Sequence, residues 1–247
     1  MVRVGDSLFL SSVEIIERTE RYESPQDGYD RTAGVGRGWV FRMNLDGELQ
    51  DSVELGEGDI YHPGGIDFDG QYLWVPVAEY RPDSESIIYR VDAQSLEVTE
   101  VFRFPDHIGG IVRDTDTNRL HGVSWGSRRL YSWQLDEELN VTDTQAEPVA
   151  NKQGYVDYQD CQYAGNSKML CSGIAGYPGG FRLGGIELVD LTSDTPVWQV
   201  PVVRETESGT AMTQNPFWFE TTDAGLRAYF APEDNSTHLY IYDISLP

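Results

Sequence analysis

Residues 61–74 read YHPGGIDFDGQYLW, and residues 106–121 return a shortened version, DHIGGIVRDTDTNRLH. A His-x-Gly-Gly-Ile core written twice, each time ahead of a run with strand composition, marks a repeated structural unit. Working outward, five β-type runs align: SLFLSSVEI (7–15), QYLWVPVAEY (71–80), NRLHGVSWG (118–126), KMLCSGIAG (168–176) and LRAYFAPED (226–234). Each is followed by a second run: WVFRMNLDG, IIYRVDAQS, LYSWQLDEE, GIELVDLTS and LYIYDIS. Taking Leu8, Leu73, Leu120, Leu170 and Ala228 as equivalent gives steps of 65, 47, 50 and 58 residues. Steps of that size suit four-stranded propeller blades with variable loops. IDFDG or its equivalent is then strand A, the first run strand B, the second strand C, and a run such as LEVTEVFRF (96–104) strand D. A β-sandwich would not require an echo in every unit. The expectation is an all-β, five-bladed β-propeller of four-stranded antiparallel blades. It forms a single domain over 1–247, with blades near 1–57, 58–104, 105–150, 151–204 and 205–247.

The two ends carry a further expectation. After strand C of the last unit only Ser245, Leu246 and Pro247 remain, too few for strand D. Propellers usually close by lending an N-terminal strand to the last blade, which hides its edge. Counting back from Leu8 places the His-x-Gly-Gly equivalent of the first blade upstream of Met1. The reading is that the last blade lacks its N-terminal closing strand and that the sequence is shortened, an export signal being lost with it. As written the chain is cytoplasmic; with such a signal it would be extracellular.

Composition supports the same class. Aromatics make up 12% of the chain and Gly reaches 25, a mixture suited to short strands and tight turns. A net charge of −23 opposes binding to nucleic acid, whose phosphates the surface would repel. Only Lys152 and Lys168 are lysines, and an acid-rich, lysine-poor chain is what selection for solubility in concentrated salt produces, so a halophilic source is expected. No run of about 18 apolar residues offers a membrane span, and Asp6 and Ser7 interrupt the apolar start MVRVGDSLFL.

The motifs HPGGIDFDGQYLWVPVAEY, HIGGI, LHGVSWGSRRLYSW, YQDCQY, MLCSG and AMTQNP together resemble an uncharacterised propeller family, domain of unknown function 6454. That resemblance implies a propeller and brings no reaction with it. FLSSVE, VAE and GVSW are more distantly similar to glutaminyl cyclotransferases of the five-bladed type. This second likeness would make Glu14 or Glu79 a proton-transfer residue and Trp125 a pocket wall.

In a propeller the lead-in to strand A and the B–C loop share one face beside the central channel. The long connections fall there: residues 17–37, 79–86, 124–129, 173–184 and 232–238. The polar, breaker-rich stretch ERTERYESPQDGYDRTAGVG in the first of these is expected to be mobile. The repeat places His62, His107, Asp157 and Thr213 at equivalent lead-in positions. His62, His107 and Asp157 could hold a divalent metal through two imidazoles and a carboxylate, or each could bond the neighbouring loop. Gly64, Gly65, Gly109 and Gly110 are read as close-approach residues where inner strands crowd. Glu14 and Glu79 are equivalent at the end of strand B, with Glu233 or Asp234 nearby in the last unit. They serve to coordinate Ca²⁺, to act as a general base or to hold an amine, or else form a solvated rim. Trp125, Arg128, Gln214 and Asn215 complete a ligand-binding wall. Cys161 and Cys171 flank the turn AGNSK and face each other on the A–B hairpin, as a cross-strand disulfide or as two buried thiols.

Two function classes follow. One is an enzyme acting on a small molecule at the channel, a metal-assisted lactonase-like hydrolase first and a cyclotransferase second. The other is a non-catalytic propeller that binds a small ligand or a protein. The sequence does not set an oligomeric state.

Overall fold

The computed structural model describes residues 1–245. The first sheet contains β1 (Val2–Val4) and β2 (Ser7–Glu17), an inserted hairpin of β3 (Arg21–Gln26) and β4 (Tyr29–Arg31), then β5 (Val35–Asn44) and β6 (Leu49–Leu55), paired in the order β1-β2-β5-β6. The second has a split inner strand, β7 (Ile60–Pro63) and β8 (Asp67–Phe68), both paired with β9 (Tyr72–Glu79), followed by β10 (Ser86–Asp92) and β11 (Val98–Phe104). The third runs β12 (Ile108–Asp114), β13 (Arg119–Ser124), β14 (Arg129–Gln134) and β15 (Val149–Ala150). The fourth is β16 (Asp157–Tyr163), β17 (Lys168–Gly176), β18 (Arg182–Asp190) and β19 (Thr195–Val202). The fifth has three strands among the described residues, β20 (Phe217–Thr222), β21 (Gly225–Phe230) and β22 (Tyr240–Ser245). All pairings between neighbouring strands within these sheets are antiparallel, as a meander blade requires. The last two residues of the fifth unit, Leu246 and Pro247, lie outside the described residues.

Five apolar clusters sit at the five junctions of the ring. Val2, Phe9 and Val40 of blade 1 meet Val75 and Val77 of blade 2; Trp74 and Ile88 meet Ile111 and Trp133 of blade 3. Val112 and Val123 then meet Tyr158 and Met169 of blade 4. Phe217 and Phe230 of blade 5 pack on Leu170 and Val202, and Tyr229 closes the ring on Met1 and Leu8. The alternation of side chains along a strand sends Leu73, Val75 and Val77 to one neighbour and Trp74 to the other. A blade covered on both faces therefore reads as an unbroken apolar run, and Leu73 through Glu79 are all buried.

The repeated glycines lie where inner strands touch. Gly65 and Gly110 form an isolated parallel bridge, with Gly65 N–H donating to Gly109 O at 2.9 Å and Ile111 N–H to Gly65 O at 3.2 Å. A Cβ on Gly64 would fall 2.2 Å from the Gly109 carbonyl oxygen, and one on Gly65 would fall 2.7 Å from Asp160 Oδ1. At Gly109 the nearest atom would be His107 Nε2 at 3.5 Å, ordinary contact distance. Crowding thus governs the first copy of the motif more than the second. The second copy also marks an irregularity in strand pairing between Ile108 and Gly110.

Buried polar groups extend the stitching between blades. Asp67 accepts from Arg113 N–H at 2.8 Å and Tyr163 N–H at 3.2 Å, joining blades 2, 3 and 4. Gln162 exchanges two bonds with the Phe219 backbone, at 2.7 and 2.9 Å. Asp160 accepts from Phe217 N–H at 3.2 Å and from the Met1 amino group at 2.5 Å. Cys161 and Cys171 pair directly across β16 and β17 and are disulfide-bonded with Cα atoms 4.1 Å apart, so the cross-strand alternative is the one found.

Candidate functional site at the channel mouth

Four rings from two blades converge at the mouth. His62 is carried on β7, where strand pairing begins before the glycines, so its ring projects from the inner strand itself. It stacks on Tyr80, which follows β9, with centroids 4.1 Å apart and planes 9° apart. His107, immediately before β12, lies 5.9 Å from His62 and meets Trp125 edge-on at 4.7 Å. Trp125 is also 5.9 Å from Tyr80. Local backbone explains its placement: Trp125 opens a 3-10 turn through Ser127, with Gly126 and Ser127 both left-handed at φ 64° and 53°. Ser127 tolerates that conformation because its Oγ accepts from Tyr158 N–H at 2.6 Å. Trp125 N–H donates to His107 O at 3.2 Å, coupling the two rings through the backbone as well.

The imidazoles are neutral at physiological pH. Burial, reinforced by the nearby His107, pushes His62 down to about 3. Burial likewise pushes His107 down to about 4, against the pull of backbone carbonyls that favour its protonated form. His107 Nδ1 lies 2.8 Å from Glu79 O. A carbonyl can only accept, so Nδ1 carries the hydrogen and Nε2 keeps a lone pair. His62 Nδ1 is buried and has no hydrogen-bond partner.

The segment expected to be mobile forms the roof. Residues 21–31 fold into the β3–β4 hairpin, closed at its base by Thr32 N–H to Glu20 O and Glu20 N–H to Thr32 Oγ1, both 2.9 Å. The hairpin docks by exchanging cations and rings with the blades. The Arg31 guanidinium lies 5.1 Å over Trp125, and the Arg81 guanidinium lies 3.4 Å over Tyr29. Tyr61 Oη donates to Ala33 O at 2.6 Å beside Gly34, whose left-handed φ of +72° and tight packing against Tyr61 and Glu17 require a glycine. Polar composition predicts mobility here, but aromatic faces on other blades supply partners that neighbouring residues do not.

The other expected site residues divide. Glu79 is buried and bonds Arg81, so its charge is already matched. Glu14 is exposed on β2, opposite Arg37, and is a solvated rim residue. Asp157 accepts from Ser127 Oγ at 3.4 Å; burial raises its pKa, and the exposed Arg128 opposes the rise. Thr213 follows the structural alternative, donating to Gly173 O at 2.7 Å and accepting from Gly185 N–H at 3.1 Å. Gln214 accepts from Arg182 at 2.6 Å, and Asn215 donates to Pro232 O and Asp234 at 2.8 Å each, so these two organise loops rather than the imidazoles. Glu233 bonds Thr237 and Tyr240 within the last blade.

The metal expectation gains no support from the same geometry. Among the described residues no group of three or more His, Cys, Asp or Glu is arranged to hold a metal ion. His62 and His107 meet, but the third donor, Asp157, bonds Ser127 instead of completing a set with them. Tyr80, Arg31, Arg81 and Tyr29 are site residues that the sequence reading passed over. Tyr80 had a signal, since it directly follows the repeat-equivalent Glu79.

The whole of residues 1–247 matches one protein family. The chain belongs to a family of unknown function (DUF6454). No curated protein matches it. Among solved structures it is similar to the hydrazine synthase of Kuenenia stuttgartiensis, at 14% identity and a TM-score of 0.43, covering 80% of this chain and 51% of that one. It is also similar to a luciferin-regenerating enzyme, at 11% identity and a TM-score of 0.47, covering 90% of this chain and 75% of that one. The chain spans about half the length of the hydrazine synthase chain. A glutaminyl cyclotransferase likeness is not shown by these comparisons. No helix is long and apolar enough to cross a membrane among the described residues.

Proposed function

We propose that this propeller binds a small molecule at the channel mouth, on the surface formed by His62, Tyr80, His107 and Trp125. The observation that carries the reading is the unpartnered, buried His62 Nδ1 within a stack of rings. A buried polar atom left unsatisfied costs about 1–3 kcal/mol, a penalty that a bound ligand would relieve. His107 supports the same use, because its anchored Nδ1–H leaves Nε2 as an acceptor. A ligand with a ring or alkyl face for the aromatics and N–H or O–H donors for the imidazoles matches this surface.

Binding is favoured over turnover by the carboxylates. Glu79 is matched by Arg81 and Glu14 faces solvent, so neither stands free beside the rings as a proton-transfer group. The test is a thermal-shift screen of small molecules against the wild type, His62→Phe and Trp125→Ala. Ligands that raise the midpoint of the wild type should lose that effect in both variants. Ligands whose effect survives both substitutions would place the site elsewhere. Lactone or ester turnover by the wild type, abolished in His107→Ala, would instead restore the enzyme reading.

A further inference from the structure

Resting on that binding reading, we infer that the site takes an organic cation, a guanidinium- or ammonium-bearing small molecule, and that Arg31 occupies it in the free protein as a tethered stand-in. The Arg31 guanidinium sits 5.1 Å over Trp125, the position that a cationic ligand would take on the best ring for that interaction. Its charge is matched by Asp30 through a two-pronged contact, Nε to Oδ1 at 2.8 Å and Nη2 to Oδ2 at 3.0 Å. The mouth therefore already holds one guanidinium between a ring and a carboxylate. When the hairpin moves away, Asp30 travels with Arg31 on β4, and Trp125 remains to receive another cation.

The surroundings favour a cation over an anion. His62 and His107 are uncharged and add no repulsion, while the His107 Nε2 lone pair accepts from a donor such as N–H. The two arginines that reach the rings are matched by carboxylates, Arg31 by Asp30 and Arg81 by Glu79, which leaves neither free for a ligand anion. A chain of net charge −23 concentrates cations and repels anions at its surface. The stand-in is displaceable because the β3–β4 hairpin pairs only with itself and joins no blade sheet. Its remaining ties are side-chain contacts, Arg81 over Tyr29 and Tyr61 to Ala33.

The experiment measures binding of agmatine, choline, benzyl alcohol and benzoate by calorimetry to the wild type, Arg31→Ala, Arg31→Lys and Trp125→Ala. Removing a competing occupant raises apparent affinity by the reciprocal of the fraction of sites it had left open. Arg31→Ala should therefore bind agmatine or choline about tenfold more tightly than the wild type, the range that a cation on a partly desolvated ring supports. Arg31→Lys, which keeps a tethered cation, should stay close to the wild type, and Trp125→Ala should lose the cations. Benzoate should bind none of them. Near-ultraviolet circular dichroism checks that each variant is folded, and Arg31→Lys separates loss of the stand-in from damage to the hairpin. Cation affinity that is unchanged or weaker in a folded Arg31→Ala overturns the inference. Benzoate or benzyl alcohol binding more tightly than the cations, in a Trp125-dependent way, also overturns it while leaving the binding site standing. If no probe of any charge binds the wild type or Arg31→Ala, both readings fall.

Discussion

Two buried histidines, His107 and His121, and the half-buried His62 show how one residue type can carry both a site and a pH dependence. His62, His107 and His121 are pushed by burial to about 3, 4 and 4. Proton NMR titration of the ring signals should accordingly find none of the three protonated at pH 5. The sign for stability follows from where each proton binds. An unfolded histidine takes its proton near pH 6.5 and the native one does so only near 3–4, so the unfolded state binds more protons between those values and stability falls as pH drops through that window. His121 isolates the effect, since it faces Asp114 at 3.9 Å and the charge of Arg119, and both its ring nitrogens lack partners. His121→Leu should flatten the acid side of the stability curve, gaining on the wild type by up to about 3 kcal/mol near pH 4. Denaturant titrations at pH 7 and pH 4 provide the measurement. An equal offset at both pH values would show that packing, not protonation, sets the effect. Asp67 works in the opposite direction, its pKa raised to about 7 chiefly by burial, which is why the comparison is made against a single variant.

At the scale of the element, the first His-x-Gly-Gly copy is a contact between inner strands. Gly64→Ala drives a Cβ to 2.2 Å from the Gly109 carbonyl oxygen, a backbone atom that cannot swing away. It should destabilise by about 2–4 kcal/mol, as overpacking and strain do. Gly109→Ala meets its nearest neighbour at 3.5 Å and should stay within about 1 kcal/mol of the wild type. Equal losses in urea unfolding would refute the close-approach account of the motif. The β16–β17 hairpin is stapled by Cys161–Cys171. Replacing both cysteines by serine should lower stability by about 2–3 kcal/mol, the loop-closure value for a short span. Unchanged unfolding midpoints with and without reductant would show that the staple adds nothing to the hairpin.

Over the whole molecule, charge and closure set the behaviour. With a net charge of −23 on one compact ring, screening should raise the thermal midpoint as sodium chloride goes from 0.1 to about 2 M. A midpoint independent of salt would mean that local pairs such as Arg103 with Glu57 and Glu100, or Arg227 with Asp243, already balance the repulsion. The division between sequence and tertiary structure follows the range of the interactions. Residue order alone determined the five units, the B and C strands, the facing cysteines and the tight contact at Gly64 and Gly65. Those features repeat, alternate or pair within a few tens of residues, where strand period and glycine chemistry are local properties. The repeat put His62 and His107 at equivalent positions, and the B–C loop put Trp125 on the same face. Only the folded ring decided that Asp157 turns to Ser127 and that Glu14 stays in solvent. The ring also decided that the polar stretch 21–31 docks, by placing Arg31 on Trp125 and Tyr29 beneath Arg81. These contacts join residues about 50–90 positions apart through the directions of side chains on different blades, and no pattern of neighbouring residues encodes such directions.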